Sequence, residues 1–171
     1  RLVTKLEHRY AEFDGLNLTW ETLEGLVKHN GPLQPPLAGP VASFDKRWPL
    51  DVRNWSSLEA QVAALSDDIA YVNHDIDDGL RAELFTIDDL ANAPLVGEMV
   101  KSIRARYGTL ELGRFIGELV RTLMSVLVED LLSETRQRLA EARLTSAEDV
   151  RRQKRALAAF SPRASEDVAA L

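Results

Sequence analysis

No cysteine occurs in the 171 residues, which excludes disulfides and thiolate-held metals and fits a cytoplasmic protein. No apolar run approaches the roughly 20 residues needed to cross a bilayer. The longest candidate, residues 115–132, is interrupted by Glu118, Arg121, Glu129 and Asp130. A basic-then-apolar leader, a Gly-rich phosphate loop, an internal repeat and a low-complexity tract are all missing, and no segment alternates as a strand does. Excess positive charge is missing too. The formal net charge of −6 argues against a dedicated nucleic-acid binder and leaves nucleic acid only as a regulator. Two local basic clusters, residues 151–155 and Arg136, Arg138 and Arg143, read as solvated helix faces. What remains is 45% hydrophobic and 28% charged, the balance of a globular chain long enough for one helical domain over residues 1–171.

The periodicities predict an all-α fold. Leu2, Val3, Leu6, Tyr10 and Phe13 suggest a first helix of three turns. Thr19 should cap a second, with Thr22, Leu23, Leu26 and Val27 on its inner side and Gly31-Pro32 ending it. Residues 31–56 hold five of the seven prolines and predict a long loop without helix, anchored by Phe44, Trp48 and Trp55. Thr86 and Asp89 form a capping-box pattern, and Pro94 opens a helix that ends by Gly108. The longest helix spans 113–140, with apolar pairs every four residues that must face a core or another subunit. Thr145 or Ser146 should cap a last helix through Phe160, leaving 163–171 as a frayed tail.

Residues 57–79 carry the functional signal. Ser57 is a natural N-cap and Gly79 falls where the helix should end. Leu58, Val62, Leu65, Ile69, Val72 and Ile76 form one apolar stripe. Asp67, Tyr71, His74, Asp75 and Asp78 share the other side, below Ala60, Ala63 and Ala64, which predicts a helix covered on both flanks. A tyrosine among carboxylates and an imidazole suits holding a cation or a sugar.

The run Leu65-Ser66-Asp67-Asp68-Ile69-Ala70-Tyr71-Val72-Asn73-His74-Asp75 resembles the last metal-ligand segment of the deoxyguanosine triphosphate triphosphohydrolases, a branch of the HD-domain phosphohydrolases. Residues 9–32, which include Gly15-Leu16-Asn17-Leu18-Thr19-Trp20 and Leu26-Val27-Lys28-His29-Asn30-Gly31, resemble an earlier segment of the same family. The resemblance implies an HD-type helical bundle, incomplete here, that splits a deoxynucleoside triphosphate into deoxynucleoside and tripolyphosphate with a divalent ion, Mg²⁺ or Mn²⁺. It implies Asp67 as a metal ligand, Tyr71 against the deoxyribose and Asp75 on the 3′-hydroxyl. It also implies a homo-oligomer; the lack of a long apolar run speaks against a membrane partner.

The family's other metal donors, a histidine and a His-Asp pair, precede the segment at 9–32, so this chain corresponds to a C-terminal portion and alone should be inactive. No catalytic residue is assigned within it. His8, with no downstream aspartate partner, reads as a helix-surface residue. His74-Asp75 is an HD dipeptide but sits inside the later segment, where His74 lines the cleft or meets the loop. His29 either reaches a nucleotide or serves the helix C-terminus. Arg81, Lys101, Arg104 and Arg106 are available for a triphosphate, with nothing to choose among them. Two alternatives stand beside this reading: an HD-domain phosphohydrolase acting on another nucleotide, and a non-catalytic helical oligomerisation module in which the acidic stripe is only solvated.

Overall fold

A computed structural model describes residues 1–37 and 39–170, and helices α1 to α8 account for its regular structure apart from one opening turn. Among the described residues there is no strand, only an isolated bridge between His8 and Gly15. The contacts gather into two compact units, Arg1–Ala64 with Arg143–Leu157, and Leu65–Ala142 with Ala158–Leu171.

The first unit begins with a single wide turn, Leu2–Leu6, rather than three helical turns. The chain doubles back instead: Gly15 N–H donates to the Glu7 carbonyl at 2.8 Å and Leu16 N–H to that of Val3 at 2.8 Å. Gly15, at φ +82°, lies so close to the Thr4 backbone that a side chain there would collide with it. Helix α1 (Trp20–Val27) is capped by Thr19, whose hydroxyl accepts from the Thr22 N–H. Its buried positions are Glu24 and Lys28, however, while Leu26 is 53% exposed.

The proline-rich stretch also departs from expectation, because it contains helix α2 (Gly39–Asp45). Pro40 sits in the first turn, where a missing N–H costs no helical hydrogen bond. The other prolines flank the helix instead of interrupting it. Trp55 is a true anchor, packed on Gly31, and Phe44 is half-buried, whereas Trp48 is 58% exposed. Helix α7 (Ala147–Arg151) has the Ser146–Asp149 capping box but stops well short of Phe160. Its last carbonyl, that of Arg151, accepts from Trp55 N–H at 3.0 Å, and the Leu157 N–H is taken by the Gln61 side chain at 2.9 Å. Those bonds replace the helical ladder and leave Leu157 buried on an irregular, bent segment.

Helix α3 (Leu58–Arg81) starts at Ser57, whose hydroxyl accepts from Ala60 N–H, and runs through Gly79 rather than ending there. Gly79 is required by proximity: a Cβ would overlap the Phe85 ring at Cε1 and Cζ. Residues 65–81 of α3 belong to the second unit, with α4 (Ile87–Leu90), α5 (Val96–Tyr107), α6 (Leu112–Ala142) and α8 (Pro162–Ala169). Its core joins Ile69, Ile76 and Leu80 to Val96, Val100 and Ile103, and to Ile116, Leu119, Leu123 and Leu127 of α6. Burying a side chain of that size contributes about 1.5–3 kcal/mol, so this cluster fixes which face of α3 looks inward. The expected frayed tail is helical through Ala169. Ser161 caps α8 and is itself bound to Asp130 at 2.7 and 2.8 Å, and Ala164 is buried; residue 171 lies outside the described residues.

Candidate functional site

Because the core fixes the inner face of α3, the residues between its apolar positions must point outward. Asp67, Tyr71, His74, Asp75 and Asp78 are all exposed, Tyr71 by 62%. At 1.5 Å per residue, Asp67 and Asp75 lie about 12 Å apart along the axis, with Tyr71 midway. The predicted site residues therefore share one strip of helix in the second unit. Among the described residues the N-terminal end of α3 is covered on that side, where Ala60 meets Gly25 of α1 so closely that a Cβ on the glycine would lie 2.9 Å away. Beyond it the strip is open rather than flanked.

Could the strip hold a metal unaided? Among the described residues no group of three or more His, Cys, Asp or Glu side chains is placed to bind one. A tight site takes at least three or four donors. The residues present therefore do not make a complete centre, and Asp67 offers a single carboxylate.

The remaining candidates are spread elsewhere. His8 does have an aspartate after all: its Nδ1 lies 3.3 Å from Asp14 Oδ1, both side chains exposed, on the doubled-back segment and not on a helix. His29 is exposed just beyond Lys28, the C-cap of α1. Of the four cations, Arg81 is paired with Asp77 at 2.7 Å, Lys101 with Glu98 at 2.8 Å and Arg104 with Asp88 at 2.7 Å, while Arg106 lies over the Tyr107 ring.

The sequence reading missed the most heavily buried charges. Glu24 and Lys28 have fully buried side chains and pair at 2.8 Å. Arg151 reaches the same carboxylate through Nε at 3.1 and 3.2 Å and Nη2 at 3.0 Å, and its guanidinium stacks on Trp20 at 5.2 Å. The hydrogen bonds that Arg151 donates to Glu24 raise its pKa above the ordinary value, with burial opposing them. Lys28 also donates to the Trp55 carbonyl at 3.4 Å. Glu24 and Lys28 stand at i and i+4, a spacing that could have shown the pair but not its burial.

A relative from Parvibaculum lavamentivorans, named deoxyguanosinetriphosphate triphosphohydrolase-like protein, is 57% identical over 100% of this chain. The chain belongs to that family. Similarly named relatives from Brucella suis and Caulobacter sp. are 53% and 49% identical over 98% and 100% of the chain. The chain spans 44–45% of the length of these relatives, as a C-terminal portion of them. No family model matches it. Within this family member, residues 9–32 lie on and around α1 in the first unit, and residues 65–75 lie on α3 in the second.

Proposed function

We propose that the chain is the C-terminal part of a deoxynucleoside triphosphate triphosphohydrolase. Water adds across the bond between the α-phosphorus and the 5′-oxygen, releasing deoxynucleoside and tripolyphosphate. The observation that carries this reading is the 57% identity, along the whole chain, to a protein named deoxyguanosinetriphosphate triphosphohydrolase-like. The single exposed strip on α3 supports the division of roles. Asp67 contributes one carboxylate to a divalent cation, Mg²⁺ or Mn²⁺, whose other donors lie outside the described residues. Tyr71 lies flat against C2′ of the sugar and leaves no room for a ribo-hydroxyl, and Asp75 accepts a hydrogen bond from the 3′-hydroxyl.

Chromatography of the products formed from dGTP by the longer natural polypeptide containing this chain tests the reading. Deoxyguanosine and tripolyphosphate in equal amounts are expected. Release of orthophosphate or pyrophosphate instead would move the protein to a different nucleotide hydrolase, and no turnover with either Mg²⁺ or Mn²⁺ would overturn the assignment.

One observation favours a further, associative role. Met124, Val128 and Leu132 leave an apolar stripe on α6, at 44%, 39% and 45% exposure, one turn apart. We propose that it packs against a second copy, as the alternative of an oligomerisation module requires. Light scattering should then show an assembly that Val128→Glu dissociates.

A further inference from the structure

We propose that the first unit holds a second ligand site, independent of the α3 strip: a groove that takes a small organic anion carrying an apolar body. The cavity there measures about 710 Å³, a size typical of small-molecule sites. It lies between the opening turn, α1 and α2, and shares no residue with the strip that carries Asp67. Leu26 and Val27 of α1 and Phe44 of α2 supply apolar wall.

Its charge is one-sided. No aspartate or glutamate lines the groove, yet Arg1, Lys5 and Arg47 do. Among the described residues none of these three cations is ion-paired, whereas Arg81, Lys101, Arg104, Arg121 and Arg151 all have carboxylate partners. Unneutralised cations beside a low-dielectric wall focus a positive field into the groove. A bare inorganic anion would answer the charge but leave Leu26, Val27 and Phe44 wet. A neutral apolar molecule would do the reverse. Only a ligand with both parts satisfies the whole lining, which explains why Leu26 stays 53% exposed beside an open apolar wall.

The probes are 8-anilinonaphthalene-1-sulfonate and decane-1-sulfonate, with inorganic sulfate as the head group alone, titrated into the longer natural polypeptide. Saturable one-to-one binding of both sulfonates is expected, with no competition from sulfate at the same concentration. Lys5→Glu with Arg47→Glu should weaken binding by about tenfold or more, while Arg121→Glu, on α6, should leave it unchanged. If the reversed pair fails to fold, Lys5→Gln with Arg47→Gln should produce a smaller loss in the same direction. Sulfonate binding that both charge variants leave intact would overturn the proposal. So would an absence of saturable binding, the outcome expected where another segment of the polypeptide already fills the groove.

Discussion

Replacing Glu24 by glutamine tests the account of the first unit most severely. The carboxylate accepts hydrogen bonds from Lys28 and Arg151, and its side chain and that of Lys28 are fully buried. Glutamine keeps the volume and removes the charge, so Lys28 is left as a buried ammonium with a neutral amide and the Trp55 carbonyl at 3.4 Å. Breaking a buried pair in this way costs about 3–5 kcal/mol, a large part of the 5–15 kcal/mol that holds a typical domain together. Arg151 softens little of this. Its side chain retains 12% exposure and can lean on Glu148, 4.0 Å away, but Lys28 has no such outlet. Lys28→Met should cost less, about 1–3 kcal/mol, because Arg151 continues to hold Glu24. The double variant Glu24→Gln with Lys28→Met should lose less than the two single losses together, since it removes the buried ammonium that Glu24→Gln alone leaves unpaired. Urea unfolding followed by tryptophan fluorescence isolates the effect, because Trp20, Trp48 and Trp55 all belong to the first unit. With a slope of about 1–3 kcal/mol per molar urea, Glu24→Gln should move the midpoint by about 1–5 M. A loss below about 1 kcal/mol, or strict additivity in the double variant, would show that the triad is not the buried electrostatic unit described.

In the longer polypeptide, Asp67→Ala should abolish dGTP turnover with an unchanged melting temperature, and Tyr71→Ala should admit ribonucleotides; continued exclusion of GTP by the tyrosine variant would refute its role at C2′. Asn73 is 2% exposed on the inner face of α3, and its Oδ1 is a buried acceptor with no partner, while Nδ2 donates to the Ile69 carbonyl at 2.7 Å. Asn73→Leu should therefore be neutral or stabilising by about 1 kcal/mol in thermal unfolding, and a loss larger than that would reveal a donor for Oδ1. Hydrogen bonds from the Thr86 side chain and backbone hold the Asp89 pKa below its ordinary value, and those from Thr145 and Ser146 do the same for Asp149. Since the folded pKa is the lower one, this contribution is complete above the ordinary aspartate value, about 3.9, and is lost as pH falls through the depressed values. Stability measured from pH 6 to pH 2 should consequently fall less steeply in Asp89→Asn with Asp149→Asn than in the parent, and equal slopes would count against the caps.

Local rules served best where local chemistry decides. The caps at Thr19, Ser57, Thr86 and Ser146 were readable because each needs only a hydroxyl and an N–H a few residues on. The long helix was readable from its four-residue repeat, and the structure extends it only to Leu112–Ala142. Long-range competition hid the rest. The opening helix was lost to hydrogen bonds from Gly15 and Leu16, and the end of α7 to Trp55 and Gln61, which are distant in sequence. Proline count hid α2, because position within the first turn matters more than number. The inner face of α1 was misjudged for a related reason: Glu24 is buried against Arg151, 127 residues away, and Lys28 against Glu24 and the Trp55 carbonyl, while Leu23 and Val27 are only half-buried. Hydrophobicity alone cannot foresee that. On α3, by contrast, the apolar stripe was long enough to fix the outward strip unaided.

The spacing within that strip narrows what the strip can be. Donors to one Mg²⁺ or Mn²⁺ converge at about 2.0–2.2 Å from the ion, so residues two turns apart on a straight helix cannot chelate it together. Asp67 and Asp75, about 12 Å apart along the axis, must therefore meet different parts of whatever lies on the strip. An extended ligand satisfies this and a bare ion does not, which agrees with the proposed placement of phosphate and cation at Asp67 and sugar at Tyr71 and Asp75. The same geometry requires a facing surface, because Tyr71 at 62% exposure can exclude a 2′-hydroxyl only if something holds the sugar against its ring. On the proposed reading the strip would form one wall of the nucleotide site, and Asp67 alone would leave the cation dependent on donors from elsewhere.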